Sequence, residues 1–200
     1  MAASDFHARF ERPPRAGAEC LTAPALRERL EEEVSRAERH GTLLSCVLVA
    51  IDDLEEMARE HGSALREQTI DYVAGALRAQ LRRFDRVGRV AADGPDGAER
   101  LMMLLPGADS ARGEIVARRA LQRLRTIKLE TDGARRPLRV SMGLAVWQRE
   151  ATADTLLAQA FEAMRGVEPN GNGAPGVAGA PSHYALRRVD PDTPVDQLQR

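Results

Sequence analysis

Apolar residues recur along this chain at two alternating spacings. Where they lie three or four positions apart, they predict amphipathic helices. The first such helix begins near Pro24, a residue favoured in a first helical turn, and the others cover 54–61, 63–85, 110–127 and 152–165. Runs that are apolar throughout or that alternate with polar residues predict strands at 43–52, 85–90, 99–106 and 136–147.

The order of these elements indicates the fold class. Strands alternate with helices, but 85–90 and 99–106 follow each other directly as a hairpin. We therefore expect an α/β (α+β) fold, with a mixed central sheet flanked by helices.

The chain length and composition fit one domain with two tails. Its 200 residues, 43% of them hydrophobic, can form a single core, which we place at 19–168. The segments 1–18 and 169–200 lack periodicity and are rich in Pro with Arg or Gly, so we expect both to be flexible. A short edge strand is an open alternative for 183–188.

Charge and cysteine content narrow the class of protein. The net charge of -1 gives no electrostatic reason to bind nucleic acid or an anionic membrane. Cys20 and Cys46 are too few for a disulfide framework or a zinc site, so we expect two reduced structural thiols. No segment reaches the roughly 18 uninterrupted apolar residues of a membrane span, and a cytoplasmic protein is expected.

Several phrases, in order and near their expected spacing, resemble the GGDEF domain of bacterial diguanylate cyclases. They are ECLTAPALRERL, VAIDDLEEMAREHG, RRFD, LLPGAD, RVSMGLA and LLAQAFEAMRGVEPNGN. The resemblance implies a mixed sheet related to the nucleotidyl cyclases. It also implies condensation of two GTP molecules into cyclic di-GMP, with two metal ions on the triphosphate and one half-site on each of two subunits.

The resemblance assigns the active-site positions one by one, and many of them depart from the family pattern. Arg100 replaces the glutamate of the signature, Ala50 replaces a metal-binding aspartate, and Ala58 replaces a guanine-contacting asparagine. Glu67 matches a guanine-contacting aspartate. The assigned positions are Ala50, Asp52, Ala58, Glu67, Gly97, Ala98, Glu99, Arg100 and Leu101.

These departures predict a degenerate domain that is not an enzyme, with no catalytic residue and no cofactor. Arg100 would repel magnesium, so Mg²⁺ is expected only if residual GTP binding persists. Asp52 and Glu99 are expected as unpaired carboxylates at strand ends, and Asp52 with Asp53 could cap the following helix.

A second site of the family, which binds its product, is expected to persist. Arg82 and Asp85 match the R-x-x-D motif of that site, and Arg119 matches a second arginine in some members. Arginine binds phosphate bidentately and stacks on guanine, while a carboxylate accepts from the guanine edge. We therefore predict an effector that binds cyclic di-GMP and contacts a protein partner.

Other interpretations of the same residues stay open. Arg82 and Asp85 could belong to a solvated helix end, and Arg119 could extend along the edge of the core. The domain could instead be a nucleotide-independent interaction module, or retain GTP binding or cyclase activity. A homodimer is also compatible with the resemblance.

Overall fold

The computed structural model describes residues 20–52, 54–91, 98–131 and 134–165. Residues 1–18 and 169–200, the candidate strand 183–188, Asp53 and Gly97 lie outside these ranges. The elements in chain order are β1 (Cys20–Leu21), α1 (Ala23–His40), β2 (Leu44–Ile51), α2 (Leu54–His61), α3 (Ser63–Arg78), β3 (Arg86–Val90), β4 (Arg100–Pro106), α4 (Ser110–Arg125), β5 (Lys128–Thr131), β6 (Ala134–Pro137), β7 (Val140–Val146) and α5 (Ala153–Arg165).

The central sheet is mixed, as the order of elements predicted. Within the described ranges it has five strands in the order β1-β3-β4-β2-β7. β1 runs parallel to β3, and the other neighbours are antiparallel. β3 and β4 form the predicted hairpin, which pairs Val87 with Met103.

Helices cover both faces of this sheet because side chains alternate along each strand. In β2, Val47 and Val49 face the core that includes α3 and α4. Cys46 and Leu48 face the opposite core, with α1 and α5. The predicted arrangement of a mixed sheet flanked by helices is therefore confirmed.

The helix predicted over 63–85 ends earlier than its apolar pattern suggested, at Arg78. After that residue, the backbone N–H groups of Gln80 and Leu81 donate to carbonyl oxygens three residues earlier. This spacing is that of a 3₁₀ turn, which is tighter than an α-helix. Phe84, which continues the helical spacing, is 74% exposed. The R-x-x-D motif thus lies in a turn between α3 and β3.

The strand predicted over 136–147 is also divided. β7 covers Val140–Val146, while β6 pairs with β5 in a separate hairpin. The sequence pattern missed β1 and β5, both of which are too short to show a clear period.

Candidate functional site

The turn after α3 is held by its own polar groups. The backbone N–H of Arg82 donates to Oδ2 of Asp85 at 2.8 Å. Arg78 Nη1, on the last turn of α3, donates to the carbonyl oxygens of Arg82 at 2.8 Å and Asp85 at 3.3 Å. Asp85 is buried, so the motif is an ordered turn rather than a solvated helix end.

Helix α4 lies on the other side of this turn and contacts the segment after α3 through Arg119. Asp109 caps the helix by accepting from the backbone N–H of Arg112 at 2.8 Å. About two turns beyond Arg112, Arg119 Nη2 donates to the carbonyl oxygen of Gln80. Arg119 therefore reaches across to the segment after α3 instead of lying only along the core edge.

Between them lies a cavity of about 390 Å³, called here the turn cavity. Arg82, Asp85 and Arg119, which the sequence proposed as one ligand site, all line it. The full lining is Ala79, Gln80, Leu81, Arg82, Asp85, Leu105, Pro106, Ala108, Arg112, Ile115, Val116 and Arg119.

The turn cavity carries an excess of positive charge. Arg112, which the sequence analysis missed, joins Arg82 and Arg119, so three arginines and one aspartate line the cavity. Within the described ranges, none of the three arginines forms an ion pair with a carboxylate. The spacing of Arg112 to Arg119 was the signal in the sequence, since residues seven apart share a helical face.

The described signature positions at the start of β4 show a different electrostatic arrangement. The carboxylate of Glu99 is 13% exposed and pairs with Arg89 Nη1 at 3.0 Å and Arg66 Nη2 at 3.1 Å. The expectation that Glu99 is an unpaired strand-end carboxylate is therefore wrong. Two arginines from β3 and α3 hold it.

Glu99 belongs to a larger group of ion pairs, called here the arginine–carboxylate network. Arg89 also pairs with Glu67 at 2.8 Å and Asp71 at 2.9 Å. Burial opposes the charge of Arg89, but its bonds to Glu67 and Asp71 and the charge of Glu99 raise its pKa above the usual value. The network consists of Glu55, Arg66, Glu67, Asp71, Arg89 and Glu99.

Arg100 does not extend into solvent at the start of β4. It is 6% exposed, its Nη1 donates to the carbonyl of Ala98 at 2.8 Å, and its guanidinium carbon lies 4.9 Å from the centre of the Phe161 ring. The next residue, Leu101, is buried in the core. Arg100 thus joins the hairpin to α5 through a cation–π contact.

The remaining assigned positions lie on β2 and α2. Ala50 is half-buried against the core that includes α1 and α5. Asp52 is exposed, and its backbone N–H donates to the carbonyl of Arg139 at 3.1 Å. The carbonyl of Ala58, near the end of α2, accepts from the N–H of Gly62 at 2.9 Å.

A family comparison identifies this arrangement. Residues 24–174, about three quarters of the chain, match the family described as "Diguanylate cyclase, GGDEF domain". The chain belongs to the GGDEF family. The predicted resemblance is confirmed at the level of the family and the fold.

Individual GGDEF proteins agree with this assignment. The diguanylate cyclase DgcP of Pseudomonas aeruginosa is 25% identical over 140 residues, which cover 70% of this chain and 20% of DgcP. The chain therefore spans about a fifth of the length of that relative.

Two solved structures share the fold. Diguanylate cyclase SiaD of Pseudomonas aeruginosa, in complex with its activator SiaC, has a TM-score of 0.68 and 20% identity, with 83% of this chain and 58% of SiaD covered. The GGDEF domain of DgcB from Caulobacter crescentus, in complex with c-di-GMP, has a TM-score of 0.67 and 16% identity, with 93% and 98% covered.

The comparisons correct one expectation from the sequence. The substituted signature suggested that the chain is not an enzyme, but the matching family is enzymatic and its relative DgcP is named as a diguanylate cyclase. Each substitution in the signature concerns a single position, and such substitutions do not exclude a chain from a family of enzymes. Separately, no helix among the described residues is long and apolar enough to cross a membrane.

The metal ions implied by the GGDEF family can be tested against the donor groups of this chain. Val49 pairs with Leu101, so the end of β2, with Asp52, lies beside the start of β4, with Glu99. The charge of Glu99 is already compensated by Arg66 and Arg89. Mg²⁺ needs several oxygen ligands in octahedral geometry, and the donor groups among the described residues do not fit a pair of such ions.

Proposed function

We propose that this GGDEF domain binds cyclic di-GMP in the turn cavity and that binding changes its contact with a partner protein. The observation that carries the proposal is the convergence of Arg82, Asp85 and Arg119 on one cavity. The GGDEF domain of DgcB, which shares the fold, is named in complex with c-di-GMP.

The charges of the turn cavity suit this ligand. Three guanidinium groups and one carboxylate leave an excess of about two positive charges, and cyclic di-GMP carries two phosphate diesters. A guanidinium fork can bind a phosphate bidentately or stack on a guanine face. Only Oδ2 of Asp85 is used by the turn among the described contacts, so Oδ1 can accept from a guanine N–H.

A protein partner is supported by the surface beside the cavity. Phe84 lies within the R-x-x-D turn and exposes 74% of its surface, so a partner could bury a large aromatic ring next to the ligand. SiaD, a structural neighbour, is named in complex with its activator SiaC. We also propose that the folded unit spans residues 19–168.

Calorimetric titration with cyclic di-GMP tests the ligand. Arg82→Ala and Arg119→Ala should each weaken binding by about tenfold or more, because each removes a charge-assisted contact. Arg83→Ala is the matched control, since Arg83 lies in the same turn but does not line the cavity. The proposal is contradicted if the wild-type chain does not bind cyclic di-GMP, or if Arg119→Ala binds it with the same affinity as the wild type.

A thermal-shift panel of GTP, cyclic di-GMP and related nucleotides separates this proposal from a nucleotide-independent interaction module. A ligand that binds only the folded state raises the melting temperature. A rise with cyclic di-GMP supports the proposal. An unchanged melting temperature with every nucleotide favours the interaction module.

A second candidate function is synthesis of cyclic di-GMP from GTP, as the family match and the named activity of DgcP suggest. Glu99 is the acidic signature residue, placed at the start of β4. Incubation with GTP and Mg²⁺, followed by chromatography, tests this function. Product that forms with the wild type and with Glu114→Gln, a control at a less buried carboxylate, but not with Glu99→Gln, supports it.

A further inference from the structure

One face of α4 presents three residues to the turn cavity. Arg112, Ile115 and Arg119 are spaced three and four positions apart, which places them on the same side of the helix. All three line the cavity, and Ile115 is 64% exposed although it is a large apolar residue. The face therefore has an arginine at each end and an apolar surface between them.

The two arginines are held differently. Arg119 is bound to the carbonyl oxygen of Gln80, on the opposite wall of the cavity. Arg112 Nη1 forms a long contact of 3.3 Å with the carbonyl of Gly107. Seven residues of α-helix rise about 10 Å, so the two side chains begin about 10 Å apart along the helix and can contact different groups of one ligand.

Another arginine on α4 shows what such a side chain does outside the cavity. Arg118 pairs with Glu114 at 2.7 Å, in the i,i+4 arrangement of a solvated helix. Among the described residues, Arg112 has no such carboxylate partner. Its charge is thus available to a ligand with little cost in broken ion pairs.

We infer that Arg112 binds a second phosphate group and that the α4 face selects dinucleotides with two phosphates over nucleotides with one. Ile115 supplies the apolar surface between the two phosphate contacts, against which a base can pack. This inference rests on the proposed function, and it adds a specificity-determining residue outside the R-x-x-D motif.

Titration of four proteins with cyclic di-GMP and with GMP tests the inference. The proteins are the wild type, Arg112→Ala, Arg119→Ala and Arg118→Ala. Arg112→Ala should weaken cyclic di-GMP binding by about tenfold or more, because it removes a charge-assisted hydrogen bond to one phosphate. It should change GMP binding by less than about twofold, so the preference for the dinucleotide falls. Arg118→Ala should leave both affinities unchanged.

The outcomes separate this inference from the proposed function. If Arg119→Ala weakens cyclic di-GMP binding and Arg112→Ala does not, the inference about Arg112 is overturned and the proposed function stands. If Arg112→Ala weakens both ligands equally, the selection for two phosphates is overturned. If the wild-type chain binds no cyclic di-GMP, both are overturned. Arg112→Lys, which keeps the charge but not the guanidinium fork, should recover only part of the affinity.

Discussion

The carboxylate of Asp85 accepts the backbone N–H of Arg82 at 2.8 Å, inside the motif that suggested a ligand site. Asp85 is buried and directly precedes β3. The R-x-x-D spacing therefore has a structural role, since it closes the turn that connects α3 to the sheet. Any loss of ligand binding on substitution of Asp85 must be separated from damage to this turn.

We predict that Asp85→Ala lowers the free energy of unfolding by about 1–2 kcal/mol in the absence of ligand, because the N–H of Arg82 loses its acceptor. Urea denaturation measures this change. Asp85→Asn keeps a side-chain oxygen as acceptor and should cost less. If the alanine variant is as stable as the wild type, the turn does not depend on this hydrogen bond.

The meeting of Arg82, Asp85 and Arg119 was predictable because the sequence resembles its family in the correct register on both sides of the hairpin. The end of α3 was not predictable from periodicity. Leu81 and Phe84 continue the helical spacing, while the competing bond of Asp85 to the backbone leaves no trace in an apolar pattern. A side chain that accepts a backbone N–H can end a helix wherever its geometry allows.

The state of Glu99 could not be read from its motif for a different reason. Its partners Arg66 and Arg89 lie on α3 and β3, and only the folded sheet brings these elements to the start of β4. A motif comparison evaluates each position alone. A motif comparison therefore cannot predict ion pairs between distant segments, and it cannot predict the packing of Arg100 on Phe161.

The arginine–carboxylate network gives a prediction about salt. Glu99→Gln should lower the free energy of unfolding by about 1–2 kcal/mol at low ionic strength, because it removes the more buried of the two anions that Arg66 and Arg89 share and leaves them only the more exposed Glu67 in common. The loss should shrink at 1 M NaCl, where screening weakens the pairs in the wild type as well. Chemical denaturation at both salt concentrations measures it.

The less buried pair of Glu114 with Arg118 is the control for this experiment. The side chains of Arg118 and Glu114 are 57% and 34% exposed, against 13% for Glu99, so Glu114→Gln should change stability by less than about 0.5 kcal/mol. Equal losses for the two variants would show that the burial of Glu99 adds nothing. A salt-independent loss would point to packing rather than charge.

Cys46 should be unreactive in the folded protein. It is fully buried in β2, and burial raises the pKa of its thiol to about 12. Because the thiolate is the reacting form, a shift from about 9 lowers its fraction about a thousandfold at neutral pH. Thiol titration with a coloured reagent should detect this group only after denaturation.

The same shift has a consequence for stability. The folded state keeps the Cys46 proton while the unfolded chain releases it near pH 9, so this contribution is complete below pH 9 and is lost as pH rises toward about 12. Cys46→Ala has no titrating group at this position and should remove this pH dependence.

The reactivity of the thiol in the native protein tests the burial of Cys46 directly. Rapid modification of Cys46 in the native protein would contradict the burial. Cys20→Ser, which leaves one thiol, makes the assignment unambiguous.

Gly143, in β7, should not tolerate a side chain. A Cβ atom there would lie 2.5 Å from the backbone nitrogen of Met164 and closer still to the carbonyl oxygen of Ala160, so α5 would have to move away from the sheet. We predict that Gly143→Ala lowers the free energy of unfolding by about 3 kcal/mol, as overpacking against rigid backbone does. Thermal and urea denaturation measure the loss.

Gly113 on α4 is the matched control, since it too faces the sheet closely. Its Cβ would meet the end of the Leu144 side chain at 2.8 Å, and a leucine methyl can rotate away where a backbone cannot. Alanine also favours the helix by about 1 kcal/mol over glycine, which offsets part of the strain. Gly113→Ala should therefore change stability by less than about 1 kcal/mol, and equal losses at the two glycines would contradict the close packing of α5 on β7.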